Sequence, residues 1–278
     1  MKKEIKEIVL NNGQRICRVT TADERWYGKE IKNEETGLPE IKWLPSVTWI
    51  KSYYYTSPYL IKWIADQGIT EADRIKKEAG IKGDKIHQAT ETIDKGLPID
   101  IIKDKFLNKE KGELEELTAD EVEAVLSYRD YLDEVNPEIV TNEMVVFSDI
   151  YAGTLDRIYR INGQIWIIDI KTSQSIWKDM IIQLSSYSHA DIDYFSLGIT
   201  DEEWKNRKLA ILQLGYQKNK KFWKFTKVQD RYDLFEIAYK TWQEENSGAT
   251  PKQRDYPLII QTKAGIEKSK LTKKIIKK

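Results

Sequence analysis

The sequence predicts an α/β fold in which a central run of strands is flanked by helices, with a further helical elaboration ahead of it. Helical signals fill the stretch from Pro45 to about Val135, and three consecutive strand-like runs follow between Glu143 and Lys171. Helical and strand patterns then alternate as far as Glu245. The 278 residues allow one large core, or one core with a modest lobe. Hydrophobic residues at 40% and charged residues at 32% suit a globular chain and argue against wholesale disorder.

The charge balance excludes one simple mode of action. Basic and acidic residues number 45 each, so no global field draws the chain to nucleic acid or membrane, and any such contact needs a local basic surface. Cys17 is the single cysteine, which excludes an internal disulfide and a cysteine-built zinc cluster. No apolar run approaches membrane-spanning length, and the charged start of the chain does not read as a signal peptide. A reducing, cytoplasmic setting is therefore expected. The nine Trp and fifteen Tyr suit either a core or stacking on bases.

In chain order, residues 1–44 read as a hairpin and a connection. Glu4–Leu10 and Arg15–Thr20 alternate as strands around a turn at Asn11-Asn12-Gly13. From Asp23 to Leu44 the chain is polar and broken by Gly28, Gly37 and Pro39, which predicts a long connection. Residues 45–250 form the main domain, with a helical lobe over 45–136. Ser57-Pro58 supplies an N-cap and a proline at the first helical position, opening a helix through Gln67. A longer helix covers Glu71–Lys95. Thr118 and Glu121 make a capping box for a helix that ends near Asn136-Pro137. The strands are Glu143–Phe147, Ala152–Ile161 and Gln164–Lys171, then a helix over Trp177–Ala190. Strands Leu209–Tyr216 and Phe222–Lys227 follow, and a last helix covers Arg231–Glu245. Residues 251–278 are a basic tail whose last sixteen residues carry seven lysines and one acid.

Asn162-Gly163 between two apolar runs is a strong signal for a two-residue hairpin turn. Ile161 then faces Gln164 as a hydrogen-bonded pair, and counting outward sets Asp156 opposite Asp169. That pair falls at a non-hydrogen-bonded position, where Cα atoms lie roughly 4.5 Å apart. Opposed carboxylates repel, and a hard divalent cation between them removes the repulsion. Lys171, two residues beyond Asp169, shares its face. Such a set suits phosphodiester hydrolysis: a cation activates water and phosphate, and a lysine stabilises transition-state charge. The apolar run Ile165–Ile168 marks a buried strand, in which unpaired acids are costly.

These residues carry a resemblance. Gly153-Thr-Leu-Asp156-Arg-Ile, Ile167-Ile-Asp169-Ile-Lys171-Thr and Gln183-Leu-Ser-Ser-Tyr187 resemble motifs of the PD-(D/E)XK nuclease superfamily. The nearest branch is the RecB-type group, which includes phage exonucleases and CRISPR-associated nucleases. Gly83-Asp-Lys-Ile-His87-Gln-Ala-Thr-Glu91 resembles that branch's histidine-bearing helix, and Leu44-Pro-Ser-Val-Thr48 with Leu60-Ile-Lys-Trp63 its opening segment. The similarity spans about residues 44–190. It implies a restriction-endonuclease-like core, with a central mixed sheet between helices, and an Mg²⁺- or Mn²⁺-dependent deoxyribonuclease. It further implies His87, Asp156, Asp169 and the Ile170 carbonyl as metal ligands, Lys171 as the catalytic lysine, and Gln183 reaching that lysine or a phosphate with Tyr187 in support.

The implied partner is DNA, single-stranded or with free ends, in phage-type replication, recombination or repair alongside proteins of those processes. An exonuclease is the first reading. A structure-specific endonuclease and a non-catalytic DNA-binding accessory protein are the alternatives. Several residues stay open between two readings. Glu91 shares the face of His87 and is either an outer support or a plain surface acid. Glu143 either approaches the metal or caps an edge strand. Gln183 and Tyr187 either serve the site or pack their helix on the sheet. Lys218–Lys224 with Trp223 either track a phosphate backbone or form a solvated turn, while Trp43, Trp49 and Trp63 line a strand entrance or belong to the core. Gly153 permits a bulge or close approach within its strand, and His189 is peripheral.

Overall fold

The computed structural model describes residues 4–10, 15–21, 24–32, 34, 37, 39–54 and 56–249. The turn expected at Asn11-Asn12-Gly13 and the basic tail from residue 251 lie outside them. The chain opens with β1 (Glu4–Val9), β2 (Arg15–Thr20), β3 (Arg25–Lys32) and β4 (Pro39–Pro45), paired antiparallel in that order. The first hairpin is as expected. The connection expected over Asp23–Leu44 is instead the second half of this sheet. Gly28, read as a breaker, lies opposite Trp43. A Cβ on Gly28 would stand 2.8 Å from the Trp43 ring, so the glycine leaves room for the indole to cover it. Pro39 sits at the start of an edge strand, where no ladder donor is missed.

Ser46 caps α1 (Val47–Lys51), its hydroxyl accepting from the Trp49 N–H at 3.1 Å. Ser57 caps α2 (Pro58–Gln67), which buries none of its residues. A 26-residue helix, α3 (Ile69–Asp94), runs through both Gly80 and Gly83. The helical signals then break where β5 (Phe106–Asn108) and β6 (Glu113–Glu115) form a small hairpin. Its three-residue strands are too short to show a period. The Gln88 side chain substitutes for a third strand, accepting from the Leu107 N–H at 2.9 Å and donating to its carbonyl at 3.0 Å. The Thr118–Glu121 capping box opens α4 (Ala119–Val135), which closes on left-handed Asn136.

The central sheet follows. β7 (Glu138–Phe147), β8 (Ala152–Ile161) and β9 (Gln164–Lys171) form an antiparallel meander, and α5 (Lys178–Ser188) and α6 (Asp201–Lys205) carry the chain across to β10 (Lys208–Leu214). β10 is parallel to β9, and β11 (Trp223–Val228) pairs antiparallel outside it, giving the order β11-β10-β9-β8-β7. The last described helix is α7 (Tyr232–Asn246). β7 begins five residues before its expected start, because a register irregularity between Ile139 and Thr141 disrupts the alternation that would reveal it. The turn between β8 and β9 is as expected, with Asn162 and Gly163 at φ 50° and 75°.

Alternation along β9 and β10 feeds two cores. Ile165, Ile167, Leu209 and Ile211 pack with Ile182 and Leu184 of α5 and Phe235 and Ala238 of α7. Ile168, Ile170, Ala210 and Leu212 pack with Ile86 and Ala89 of α3 and Tyr128 of α4. Each fully buried isoleucine contributes about 1.5–3 kcal/mol, so the sheet is held from both faces. The N-terminal sheet joins through Val19 and Trp26, and a bridge between Ser46 and Ala152 links the two sheets. Among the described residues, no helix is long and apolar enough to cross a membrane.

Gly153 on β8 faces the Tyr187 ring of α5, which would stand 2.5 Å from an added Cβ. Gly153→Ala is expected to destabilise the fold by about 1–3 kcal/mol through overpacking. In urea unfolding, Tyr187→Ala in the same chain should recover part of that loss. Simple additivity of the two substitutions would show that the ring contact is not the cause.

Candidate metal centre

Three adjacent strands present acids in one row across the sheet. The β7–β8 register pairs Asn142 with Arg157 and Met144 with Leu155, so Glu143 stands opposite Asp156. The β8–β9 register runs to Arg157 opposite Ile168, and one step further sets Asp156 opposite Asp169, where the paired ladder stops. There the Ile170 N–H donates to Asp156 Oδ2 at 2.8 Å, so a side chain takes up a main-chain donor at the end of the ladder.

α3 supplies the fourth group. His87 Nδ1 lies 3.2 Å from Glu143 Oε1, and its Nε2 lies 3.8 Å from Asp156 Oδ2. One ligand atom from each of His87, Glu143 and Asp156 falls within 4.8 Å of the others. Glu143 is thus brought to the centre rather than left capping an edge strand. It does so from a left-handed backbone, φ 46°, a conformation that costs a non-glycine residue of order 1–3 kcal/mol. Asp169 belongs to the same row but outside this closest trio. It is 1% exposed, and Lys171 Nζ stands 2.6 Å from its Oδ2. That contact lacks hydrogen-bond alignment, and neither Asp169 oxygen has an aligned donor.

Electrostatics follow from this crowding. Burial pushes the Asp169 carboxyl up to about 6; Lys171 opposes the shift and Asp156 adds to it. Burial works against the charged form of His87, but the carboxylates of Asp156 and Glu143 outweigh it and raise the imidazole. Burial likewise opposes the Lys171 cation, and Asp169 and Asp156 overcome it, so the ammonium is held protonated. For Glu143, burial is outweighed by His87 and Arg157, and its carboxyl is lowered.

A second buried layer fixes α3. His87, Thr90 and Asp94 follow one another at i, i+3 and i+7 on one helix face. Arg157, fully buried, places Nε 2.5 Å from Asp94 Oδ2, donates Nη2 to Thr90 Oγ1 at 3.0 Å and donates Nη1 to Glu143 Oε1 at 3.2 Å. Glu91 pairs with Lys95 at 2.7 Å.

α5 places Gln183 and Tyr187 in contact with one another. Gln183 accepts at 2.7 Å from Lys51 of α1 and donates to the Tyr187 hydroxyl at 3.1 Å. Its hydrogen bonds therefore go to Lys51 and Tyr187, with none to Lys171. Lys51 also pairs with Asp179 at 3.0 Å, and the Asp179 charge reaches Lys171. Lys51 went unnoticed in the sequence, as one lysine among many at the end of a five-residue helix. The Ile170 carbonyl lies 3.4 Å from Lys171 Nζ.

Other candidates are structural. Trp223 is buried against Tyr131, with Lys221 over its ring, so it offers no free stacking face. Trp49 packs edge-on to Trp26 and Trp242 in the core, and Trp43 packs against the same core. His189 pairs with Asp230 and stacks on Tyr232, away from the centre as expected. No protein-family model and no curated protein sequence matches the chain.

The raised Asp169 and His87 groups set the sign of a pH effect. Both bind protons more tightly folded than unfolded, so the stability they contribute is present at low pH and is lost as pH rises. Without added metal, stability should fall by about 1 kcal/mol between about pH 5 and 7.5 from Asp169 alone. Asp169→Asn should flatten that slope in a series of thermal melts. A slope unchanged by the substitution would exclude Asp169 as its source.

Proposed function

We propose that the chain is a divalent-metal-dependent nuclease of the PD-(D/E)XK type that hydrolyses DNA phosphodiester bonds, acting on DNA ends as an exonuclease. The observation that carries this reading is the row Glu143–Asp156–Asp169 across three neighbouring strands, with His87 over it and Lys171 beside it. The mixed sheet, with helices on both faces, is consistent with a restriction-endonuclease-like core. The donor set fits a hard cation: the carboxylates of Glu143 and Asp156 converge with the His87 imidazole, and the buried oxygens of Asp169 in the same row have no aligned hydrogen-bond donor.

His87, Glu143, Asp156 and Asp169 would hold Mg²⁺ or Mn²⁺, with the Ile170 carbonyl as a further candidate. The ion supplies Lewis-acid activation of phosphate and water when bound. The remaining work belongs to the chain. Glu143 fixes the His87 ring through Nδ1, which leaves Nε2 turned toward Asp156. Lys171, kept protonated by its carboxylate neighbours, stabilises negative charge that builds on the phosphate. Lys51 offers a second cation across Asp179, suited to a phosphate beside the one being cut. Gln183 holds Lys51 in place, and the Tyr187 hydroxyl holds Gln183.

End-labelled single- and double-stranded DNA incubated with Mg²⁺, Mn²⁺ or EDTA tests the reading. Cleavage should require the metal, and Lys171→Ala and Asp169→Asn should each lower kcat by about 10²–10³-fold. Equal degradation by wild type and Lys171→Ala would remove the lysine from the chemistry. Metal-independent DNA binding without cleavage would instead mark an accessory protein, and attack on covalently closed circles an endonuclease.

Lys51 makes a separate prediction. Lys51→Ala should raise KM for DNA about tenfold, leave kcat within about twofold, and reduce the salt dependence of binding by about one phosphate contact. Lys51→Arg should recover most of the affinity. A fall in kcat at unchanged KM would place Lys51 in the chemical step instead.

A further inference from the structure

At the other end of β9 and β10 from the acid row lies a cavity of about 480 Å³. Its wall is built from the end of α5, the turn between α6 and β10, and the chain leaving β11. Four of its residues are cations: Lys205, Arg207, Lys208 and Lys227. The one acid in the wall, Asp230, contacts His189 Nε2 at 2.7 Å, and its charge also reaches Arg207.

Several other cations in the fold are tied to carboxylates. Lys85 is paired with Glu121, Lys51 with Asp179, and Arg160 with both Glu138 and Glu203. Among the described residues, none of the four cavity cations forms an ion pair with a carboxylate. Lys208 lies over the Trp166 ring, and Arg207 lies over Trp204. Arg207 donates Nη1 to the Trp204 carbonyl at 2.9 Å and Nη2 to the Ser188 carbonyl at 2.6 Å. The second bond caps the end of α5, a structural role for that edge of the guanidinium. It leaves Nε buried without an acceptor, and it does not account for three lysines gathered around the same space. A half-buried guanidinium whose hydrogen bonds go only to neutral carbonyls is costly to keep charged; Asp230 offsets part of that cost, and an anion in the cavity offsets more.

We propose that this cavity is a second ligand site, separate from the acid row, that binds a phosphate-bearing anion. Arg207 gives the wall a rigid planar donor, and Lys205, Lys208 and Lys227 supply neutralising charge. The side-chain amides of Asn206 and Gln229 add polar contacts of the kind that orient a nucleotide or a sugar-phosphate. The same chemistry is offered by a free nucleotide or by the backbone of a nucleic-acid strand.

The test uses the full chain in EDTA, which keeps it apart from metal-dependent cleavage. Inorganic phosphate, AMP and a short single-stranded oligonucleotide are titrated by calorimetry against wild type, Lys205→Glu/Lys227→Glu and Asp169→Asn. Both lysines in the double variant are exposed, so its fold should survive, and a thermal melt checks this. Saturable binding that weakens at least about tenfold in the double variant and persists in Asp169→Asn supports the site. Preference for AMP over the oligonucleotide identifies a free nucleotide as the source, and the reverse identifies a strand. Binding that is unchanged in the double variant, or undetectable with all three probes at about 10 mM, overturns the proposal. Neither result depends on whether the acid row cuts DNA.

Discussion

The buried guanidinium of Arg157 is the interaction on which the rest of the centre depends. A charge with no exposure to water must be paired from within the protein, and breaking such a pair costs about 3–5 kcal/mol. Here the partners come from separate elements. Asp94 and Thr90 belong to α3, Glu143 to β7, and the Asp156 carbonyl to β8 itself. Tyr128 of α4 and Tyr159 of β8 add their hydroxyls around Asp94. Satisfying one arginine therefore fixes where α3 lies on the sheet. Since His87 shares a helix face with Thr90 and Asp94, its place over Asp156 is set by the same contacts.

This explains what was legible beforehand. The β8–β9 hairpin depends on a two-residue turn, a local feature written in Asn162 and Gly163, so its bounds and register follow from sequence. Asp156, Asp169 and Lys171 are read correctly as neighbours for that reason. Features that depend on distant contacts are not legible in the same way. β3 hides behind Gly28 because the Trp43 ring that covers the glycine lies on another strand. Glu143 reaches the centre through a left-handed backbone that no local pattern announces. Two signals were nonetheless present. The i, i+3, i+7 spacing of His87, Thr90 and Asp94 marks one face of α3, and Thr200 with Glu203 is a capping box that marks α6.

The centre departs from the consistency found elsewhere in the fold. Along β9 the apolar residues alternate cleanly between two cores, and local preference agrees with tertiary burial. At the row of acids that agreement fails in three ways at once. Like charges sit side by side, a glutamate takes a strained backbone, and a buried carboxylate has no aligned hydrogen-bond donor. Arg157 and His87 more than offset the burial of the Glu143 charge, whereas Asp169 keeps a net penalty despite Lys171. Such a concentration of unfavourable terms in one place is what the proposed nuclease reading would require of its centre.

Lys171 carries this argument one step further. A half-buried ammonium gains from a negative neighbour, and in this state it has one in Asp169 at 2.6 Å. Asp169 is also the acid most in want of a further partner, so under the nuclease reading one carboxylate answers two demands. An Asp169 engaged as a metal ligand neutralises Lys171 less well, and the ammonium then gains most from a new anion beside it. A phosphate is such an anion. Metal and substrate would accordingly bind cooperatively through this single carboxylate, as any pair of ligands does when each relieves a cost left by the other. Lys51 has a different position: with Asp179 and Gln183 both in contact, it is already satisfied, and it can meet a phosphate without waiting for the metal. On the nuclease reading the two lysines would thus divide the work, Lys51 holding the strand and Lys171 acting on the bond to be cut.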